Sequence, residues 1–181
     1  MSSFQELIER LAAWLARPSA WHGVDIAASK EHVLRAMGTG PALARVLHDA
    51  SHARLELLVG ALTRQAQRSP APAWSAALVI ACRTWLERIA RRFESEAMSQ
   101  DDGNSLVVVA FLDVVCRLRP RRRVSPAWLK VQTQRRVISW LRGRGALEGG
   151  RPDERHRTAR AASGRARVRA LRVARVAGGR P

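Results

Sequence analysis

Apolar residues recur every three or four positions along most of this chain, and Pro or Gly residues divide the pattern into segments of helical length. A capping box formed by Ser3 and Glu6 predicts the start of the first helix, and Pro18 ends it. The apolar face of this helix comprises Phe4, Leu7, Leu11, Trp14 and Leu15. Because this spacing is that of an α-helix, the pattern predicts an all-α fold.

The later segments extend the same pattern. Further helices are predicted over residues 29–37, 41–68, 73–95, 104–118 and 126–142. Ser29 is expected to cap the short helix, Asn104 to cap the fourth segment and Gly143 to end the last. The Val-rich run at 106–115 could form a strand, but its length and its helical surroundings favour a buried helix. The predicted fold is a bundle of five to six helices.

Charge divides the chain at residue 117. Residues 1–116 contain twelve Lys and Arg and twelve Asp and Glu, whereas residues 117–181 contain twenty and three. The whole net charge of +17 therefore lies in the last third. Such asymmetry is typical of a protein that binds a polyanion, most often nucleic acid. For roughly the last 40 residues, an Arg-, Ala- and Gly-rich composition without a binding role is the alternative explanation.

The basic residues are densest between Arg117 and Arg142, which contains nine Arg and Lys and no Asp or Glu. A basic loop leads to Ser125 and Pro126, which predict a helix start. On a wheel of about 100° per residue, an apolar side is predicted to pack inward. That side comprises Val131, Val137, Ile138 and Leu141, and the opposite side comprises Gln132, Arg135, Arg136, Ser139 and Arg142 together with Trp128. Leu129 and Trp140 lie at the border.

This opposite side and the loop before it form the candidate nucleic-acid surface. Its predicted contact residues are Arg121, Arg122, Arg123, Lys130, Gln132, Arg135, Arg136 and Arg142. Guanidinium groups bind phosphate oxygens, Gln can pair with base edges, and an exposed Trp can stack on an unpaired base. The alternative is a solvated basic helix whose Trp residues belong to the core.

Residues 41–142 resemble the second conserved region of bacterial RNA polymerase sigma factors, in particular the extracytoplasmic-function type. The resemblance depends on Phe111-Leu112 at the end of an apolar helix, the variable loop 119–125, Trp128-Leu129, and Trp140-Leu141-Arg142. It implies a helical domain whose last helix and preceding loop contact promoter DNA at the −10 element. In the family, this surface melts the duplex and captures a flipped base.

Two departures from the family pattern limit what the resemblance implies. Family members contact polymerase through acidic and Gln residues upstream of the Phe, where this chain has Ser105, Val108 and Val109. The resemblance therefore favours DNA over core RNA polymerase as the partner. The C-terminal helix-turn-helix that reads the −35 element in the family has no counterpart in the Arg-rich residues after Gly143. The expectation is therefore a sigma-like DNA-binding domain rather than a complete sigma factor.

Enzyme chemistry has weak support in the sequence. His48 and His52 have a spacing that could bind one metal ion, but the sequence shows no obvious third ligand. Cys82 and Cys116 lie in apolar segments and are expected to be buried. The sequence shows no Gly-rich phosphate loop, nucleophile elbow or paired carboxylates, so we expect neither an enzyme nor a cofactor. No segment resembles a signal peptide or a membrane span, which predicts a cytoplasmic protein without a membrane partner.

The sequence thus predicts three parts: an N-terminal helical extension over residues 1–38, a sigma-like helical domain over 39–143, and an Arg-rich tail over 144–181 that is disordered or partly helical. The predicted function is that of a DNA-binding, transcription-related protein. The alternative is a helical protein–protein interaction module whose basic face binds an acidic partner.

Overall fold

The computed structural model describes residues 3–69, 71–93, 99–118 and 124–149, apart from the side chains of 52, 53 and 144–149. Its helices are α1 Ser3–Leu15, α2 His32–Arg35, α3 Gly40–Asp49, α4 His52–Arg68, α5 Pro72–Ala81, α6 Arg83–Arg92, α7 Gln100–Arg117 and α8 Pro126–Gly149, with a short 3-10 helix at Pro18–Trp21. These four ranges contain no strand, so the predicted all-α bundle is confirmed.

Two of the predicted long helices are each divided in two. The first is interrupted at Ala50 and Ser51, which both have extended backbone angles, and the second bends at Cys82. The Arg83 side chain donates to the carbonyls of Leu47 and His48 and so caps the C-terminus of α3. Because apolar residues at helical spacing occur on both sides of each break, the sequence pattern did not indicate the two breaks.

The first break changes which face of α4 is buried. Leu55, Leu58 and Leu62 lie in the core, whereas Leu57 is 78% exposed. Leu57 therefore does not share the buried face of α4, although residues 41–68 were predicted to form one continuous helix. The helix restarts after Ser51, so its buried face is not continuous in phase with that of α3.

Helix α5 lies at the centre of the bundle. Ala73 to Ala81 are all buried, and α1, α3, α4, α6 and the 3-10 helix contact α5. Trp74 packs edge-on against Trp21 with ring centroids 5.4 Å apart. The indole nitrogen of Trp21 donates to the carbonyl of Leu15 at 2.7 Å. Small residues in α5 allow its neighbours to approach closely.

Residues 3–38 share this core. Helix α1 packs against α5, α3 and α7 and buries Phe4, Ile8, Leu11 and Leu15. Glu31, at the start of α2, accepts two hydrogen bonds from Arg64 of α4, at 2.8 and 2.6 Å, and one from Arg68 at 2.9 Å. The hydrogen bonds from Arg64 hold the pKa of Glu31 below its ordinary value, against the opposing effect of burial. This charged cluster joins the N-terminal segment to α4.

Two predicted caps were wrong. Ser29 is buried and bonds to Gln65, and Glu31 occupies the capping position of α2. Helix α7 begins earlier than predicted, because the Ser99 hydroxyl accepts from the backbone amide of Asp102 at 3.2 Å. Asn104 is inside that helix and donates to the Ser3 hydroxyl at 2.6 Å.

Helix α8 also continues past its predicted end at Gly143. Gly143 lacks the positive φ of a helix-ending glycine, and the residues after it include Ala, Leu, Arg and Glu, which favour helix. The predicted tail overlaps α8 through Gly149, and residues 150–181 lie outside the described part of the chain.

Candidate nucleic-acid interface

The junction between α7 and α8 positions the candidate surface. Helix α7 ends at Arg117, and the backbone of the next residue, Leu118, is extended. The Gln67 side chain donates to the carbonyls of Val115 and Leu118 at 3.1 Å each. The Ser125 hydroxyl accepts from the amide of Trp128 at 3.2 Å and caps α8, as predicted. These hydrogen bonds stabilise the two helix ends that flank residues 119–123.

The packing face of α8 is formed by Leu129, Thr133 and Val137, which are spaced four apart and fully buried. The Thr133 hydroxyl donates to the Leu129 carbonyl at 2.8 Å, so a polar residue is satisfied at the centre of this face. Val131 and Ile138 are 43% and 37% exposed. The prediction that these two residues pack inward was therefore wrong, because the wheel placed polar Thr133 beside the border rather than at the centre.

Two of the predicted contact residues face outward. Arg135 and Arg142 are exposed and lie seven residues apart, which is nearly two helical turns. Val131 and Ile138 lie on the same outward face. We call these four residues the outer face of α8. It contains two guanidinium groups and no carboxylate.

The other predicted contact residues are less accessible or are not described. Lys130 and Gln132 are half-buried at the sides of α8. Arg121, Arg122 and Arg123 lie outside the described residues. Of the eight predicted contacts, the structure therefore brings only Arg135 and Arg142 together on one exposed face.

Arg136 has structural partners of its own. Its Nε lies 2.7 Å from Oδ2 of Asp113 on α7, whose side chain is 1% exposed. Its guanidinium carbon lies 5.1 Å from the centre of the Trp140 ring, a cation–π distance. Arg117 pairs with the same carboxylate, with Nε 3.0 Å from Oδ1. The sequence interpretation missed Asp113, although an Asp and an Arg four apart in an apolar helix signalled a charge pair.

Neither Trp of α8 is fully exposed. Trp128 and Trp140 are half-buried and pack against the core. Because Arg136 lies over the Trp140 ring, that ring is less available for stacking on a base. Both rings are therefore less accessible than is expected of an exposed stacking surface.

The positions that resemble the polymerase-contacting part of sigma factors lie on α7. Ser105 is exposed, Val109 is half-buried and Val108 belongs to the core. Of the three side chains, only that of Ser105 is fully available to a partner.

The described residues contain no group of three or more His, Cys, Asp and Glu that could hold a metal ion. His48 pairs with Asp49 at 2.8 Å on the surface, and the His52 side chain is outside the described set. Cys82 is buried, and this burial raises the pKa of its thiol well above the ordinary value. Cys116 is exposed, so its predicted burial was wrong.

Within the described ranges, every helix is too short or too polar to cross a lipid bilayer. Comparisons of the chain with protein-family models, with curated proteins and with solved structures find no match.

Proposed function

We propose that this protein binds nucleic acid through the outer face of α8, with the phosphate backbone of duplex DNA as its principal ligand. The observation that carries this proposal is the exposure of Arg135 and Arg142 on one face of a helix that is packed firmly on α7. A well-packed helix presents its guanidinium groups at a fixed spacing, and guanidinium groups bind phosphate oxygens through paired hydrogen bonds.

Charge outside the outer face supports the same partner. All of the net charge of +17 lies in residues 117–181, and the described part of α8 follows a run of Arg residues in the sequence. A polyanion that reached Arg135 and Arg142 would be attracted by this excess positive charge. The contribution to affinity would be sequence-independent and strongly dependent on salt.

The direct test is binding of the purified full-length chain to a fluorescent DNA duplex and to each of its single strands, over a series of salt concentrations. We expect tighter binding to the duplex and a steep loss of affinity as salt rises. Absence of binding to every form at low salt would contradict the proposal. Tighter binding to single strands would instead favour the base-capturing role that the sigma resemblance implies.

A role in transcription is a finer proposal, and it is supported by the sequence resemblance at Phe111-Leu112, Trp128-Leu129 and Trp140-Leu141-Arg142. Its test is association with purified core RNA polymerase. Co-migration with core enzyme in gel filtration would support a sigma-like role. DNA binding without co-migration would leave a DNA-binding protein that acts independently of polymerase.

A second candidate function has one observation in its favour. Val131 and Ile138 expose apolar surface that alternates with the two Arg residues along the outer face. Apolar residues seven apart on a helix suit a partner protein with an apolar stripe, and the Arg residues would select acidic flanks. The DNA titration separates the two functions, because a module that binds only an acidic protein would leave the duplex unbound at low salt.

A further inference from the structure

The junction of α7 and α8 contains more positive than negative charge. The buried carboxylate of Asp113 has Arg117 on one side and Arg136 on the other. Both Nε atoms lie within 3 Å of the same oxygen, Oδ2, at 2.9 and 2.7 Å. One carboxylate therefore faces two guanidinium groups and balances the charge of only one. Among the described residues, no other carboxylate lies within ion-pair distance of either Arg.

The hydrogen bonds at this junction are incomplete as well. The Nε–H of Arg117 donates to Oδ1 of Asp113 at 3.0 Å. The Arg136 contact is close enough for a strong Coulomb attraction, but its Nε–H is not directed at Oδ2, so neither atom has a hydrogen-bond partner within the described part of the chain. Because removing the Asp113 carboxylate from water offsets much of its attraction to the two Arg residues, this cluster is weak evidence for added stability.

Both guanidinium groups use only Nε toward Asp113. Their terminal nitrogens have no hydrogen-bond partner among the residues that the structure describes, and the side chains of Arg117 and Arg136 are 44% and 24% exposed. The Trp140 ring lies against the guanidinium of Arg136 and restricts its orientation. The contacts with Asp113 thus orient the terminal N–H groups of both Arg side chains before any ligand binds. One of the two positive charges has no carboxylate to balance it.

We propose that Arg117 and Arg136, oriented by Asp113, form a phosphate-binding site at the junction of α7 and α8. A phosphate group offers several acceptor oxygens and the negative charge that this junction lacks. The bound group is either the diester of a nucleic-acid backbone or a free phosphate. In the first case the site rests on the proposed function and extends the interface beyond Arg135 and Arg142; in the second it is independent.

The test begins with the wild-type full-length protein. Inorganic phosphate is titrated at constant ionic strength against chloride, while the NMR signals of the Nε–H groups of Arg117 and Arg136 are followed. We expect both signals to shift and saturate together. Absence of a saturable shift with inorganic phosphate and with a DNA duplex would overturn the proposal, and this result would not depend on the folding of any variant.

Two variants then test whether phosphate binds at this junction or responds only to net charge. Arg117→Gln is expected to lower the affinity for inorganic phosphate about tenfold or more, because it removes charged hydrogen bonds. Arg17→Gln removes an exposed Arg elsewhere and should leave that affinity unchanged. Equal loss in both variants would overturn the site, since it would show only a response to net charge.

The same two variants are titrated with the DNA duplex. If Arg117→Gln weakens binding of both inorganic phosphate and duplex, the ligand is a backbone diester. If it weakens only inorganic phosphate, the site stands as one for a free phosphate group. Loss of duplex binding in an Arg135 and Arg142 double variant, with phosphate binding retained, would show that the two surfaces act separately.

Discussion

Gly40 occupies the first position of α3, directly beneath the indole ring of Trp21. A Cβ atom built on Gly40 would overlap the ring, so only Gly allows this ring to lie over the helix start. The ring also packs on Trp74 and donates to the Leu15 carbonyl, so a shift of Trp21 would disturb both contacts. The lack of a side chain at Gly40 therefore allows Trp21, and with it the N-terminal segment, to pack in the core.

Gly40→Ala should lower the free energy of unfolding by about 1–3 kcal/mol, because the added methyl forces the Trp21 ring to move. Chemical denaturation followed by Trp fluorescence measures this loss. Gly143→Ala is the matched control: it lies in α8 with open space around its Cβ position, and Ala favours helix by about 1 kcal/mol. Equal stability of the two variants would contradict the packing described for Trp21.

The contribution of Glu31 to the free energy of unfolding should depend on pH. Its folded-state pKa lies below that of an unfolded glutamate, chiefly because Arg64 donates to it. Its contribution is therefore fully present above the ordinary glutamate pKa of about 4.3 and is lost as the pH falls through the lower folded value.

Glu31→Gln should lower the free energy of unfolding by about 1–3 kcal/mol at neutral pH, because charged hydrogen bonds are lost. The difference from the wild type should shrink as the pH falls below the ordinary glutamate value. Denaturation curves at several pH values measure it. Glu6→Gln, at an exposed glutamate of α1, should change stability by less than about 0.5 kcal/mol. A Glu31 effect that did not vary with pH would contradict the ion-pair account.

Individual helices show what the sequence could and could not predict. The Pro and Gly residues that separate the segments located most helix ends correctly, because these residues act on the local backbone. The breaks at Ala50 and Cys82 carry no such residue, and tertiary contacts such as the Arg83 cap stabilise them. Packing against α7 likewise determines which face of α8 is buried. The helix has two apolar stripes, and the stripe that contains Thr133 can be buried because the Thr133 hydroxyl donates to a carbonyl of the same helix.

The orientation of α8 predicts different effects for two large aliphatic residues. Leu129→Ala should cost about 2–5 kcal/mol of unfolding free energy, because Leu129 is fully buried. Ile138→Ala should cost much less, because Ile138 lies on the outer face. Thermal or chemical denaturation of both variants measures the difference. A larger loss for Ile138→Ala would show that the opposite face of α8 packs on α7.

In the whole molecule, the charges of residues 1–116 sum to zero, and residues 117–181, which include α8, contain all the excess positive charge. The sequence alone predicted the sign and location of this charge, because both follow from composition. It could not predict which Arg residues would be free. Arg136 belongs to the Asp113 junction and Arg135 to the outer face, although the two are adjacent in sequence.

The nucleic-acid interface on the outer face of α8 is tested most directly by comparing the duplex DNA binding of two double variants over a salt series. One is Arg135→Gln with Arg142→Gln; the other is Arg10→Gln with Arg17→Gln, an exposed pair with the same spacing and the same loss of charge. We predict that the slope of log affinity against log salt becomes shallower by about 2 in the first variant, one for each lost phosphate contact, and changes little in the second. Equal slopes in the two variants would contradict a nucleic-acid interface on the outer face of α8.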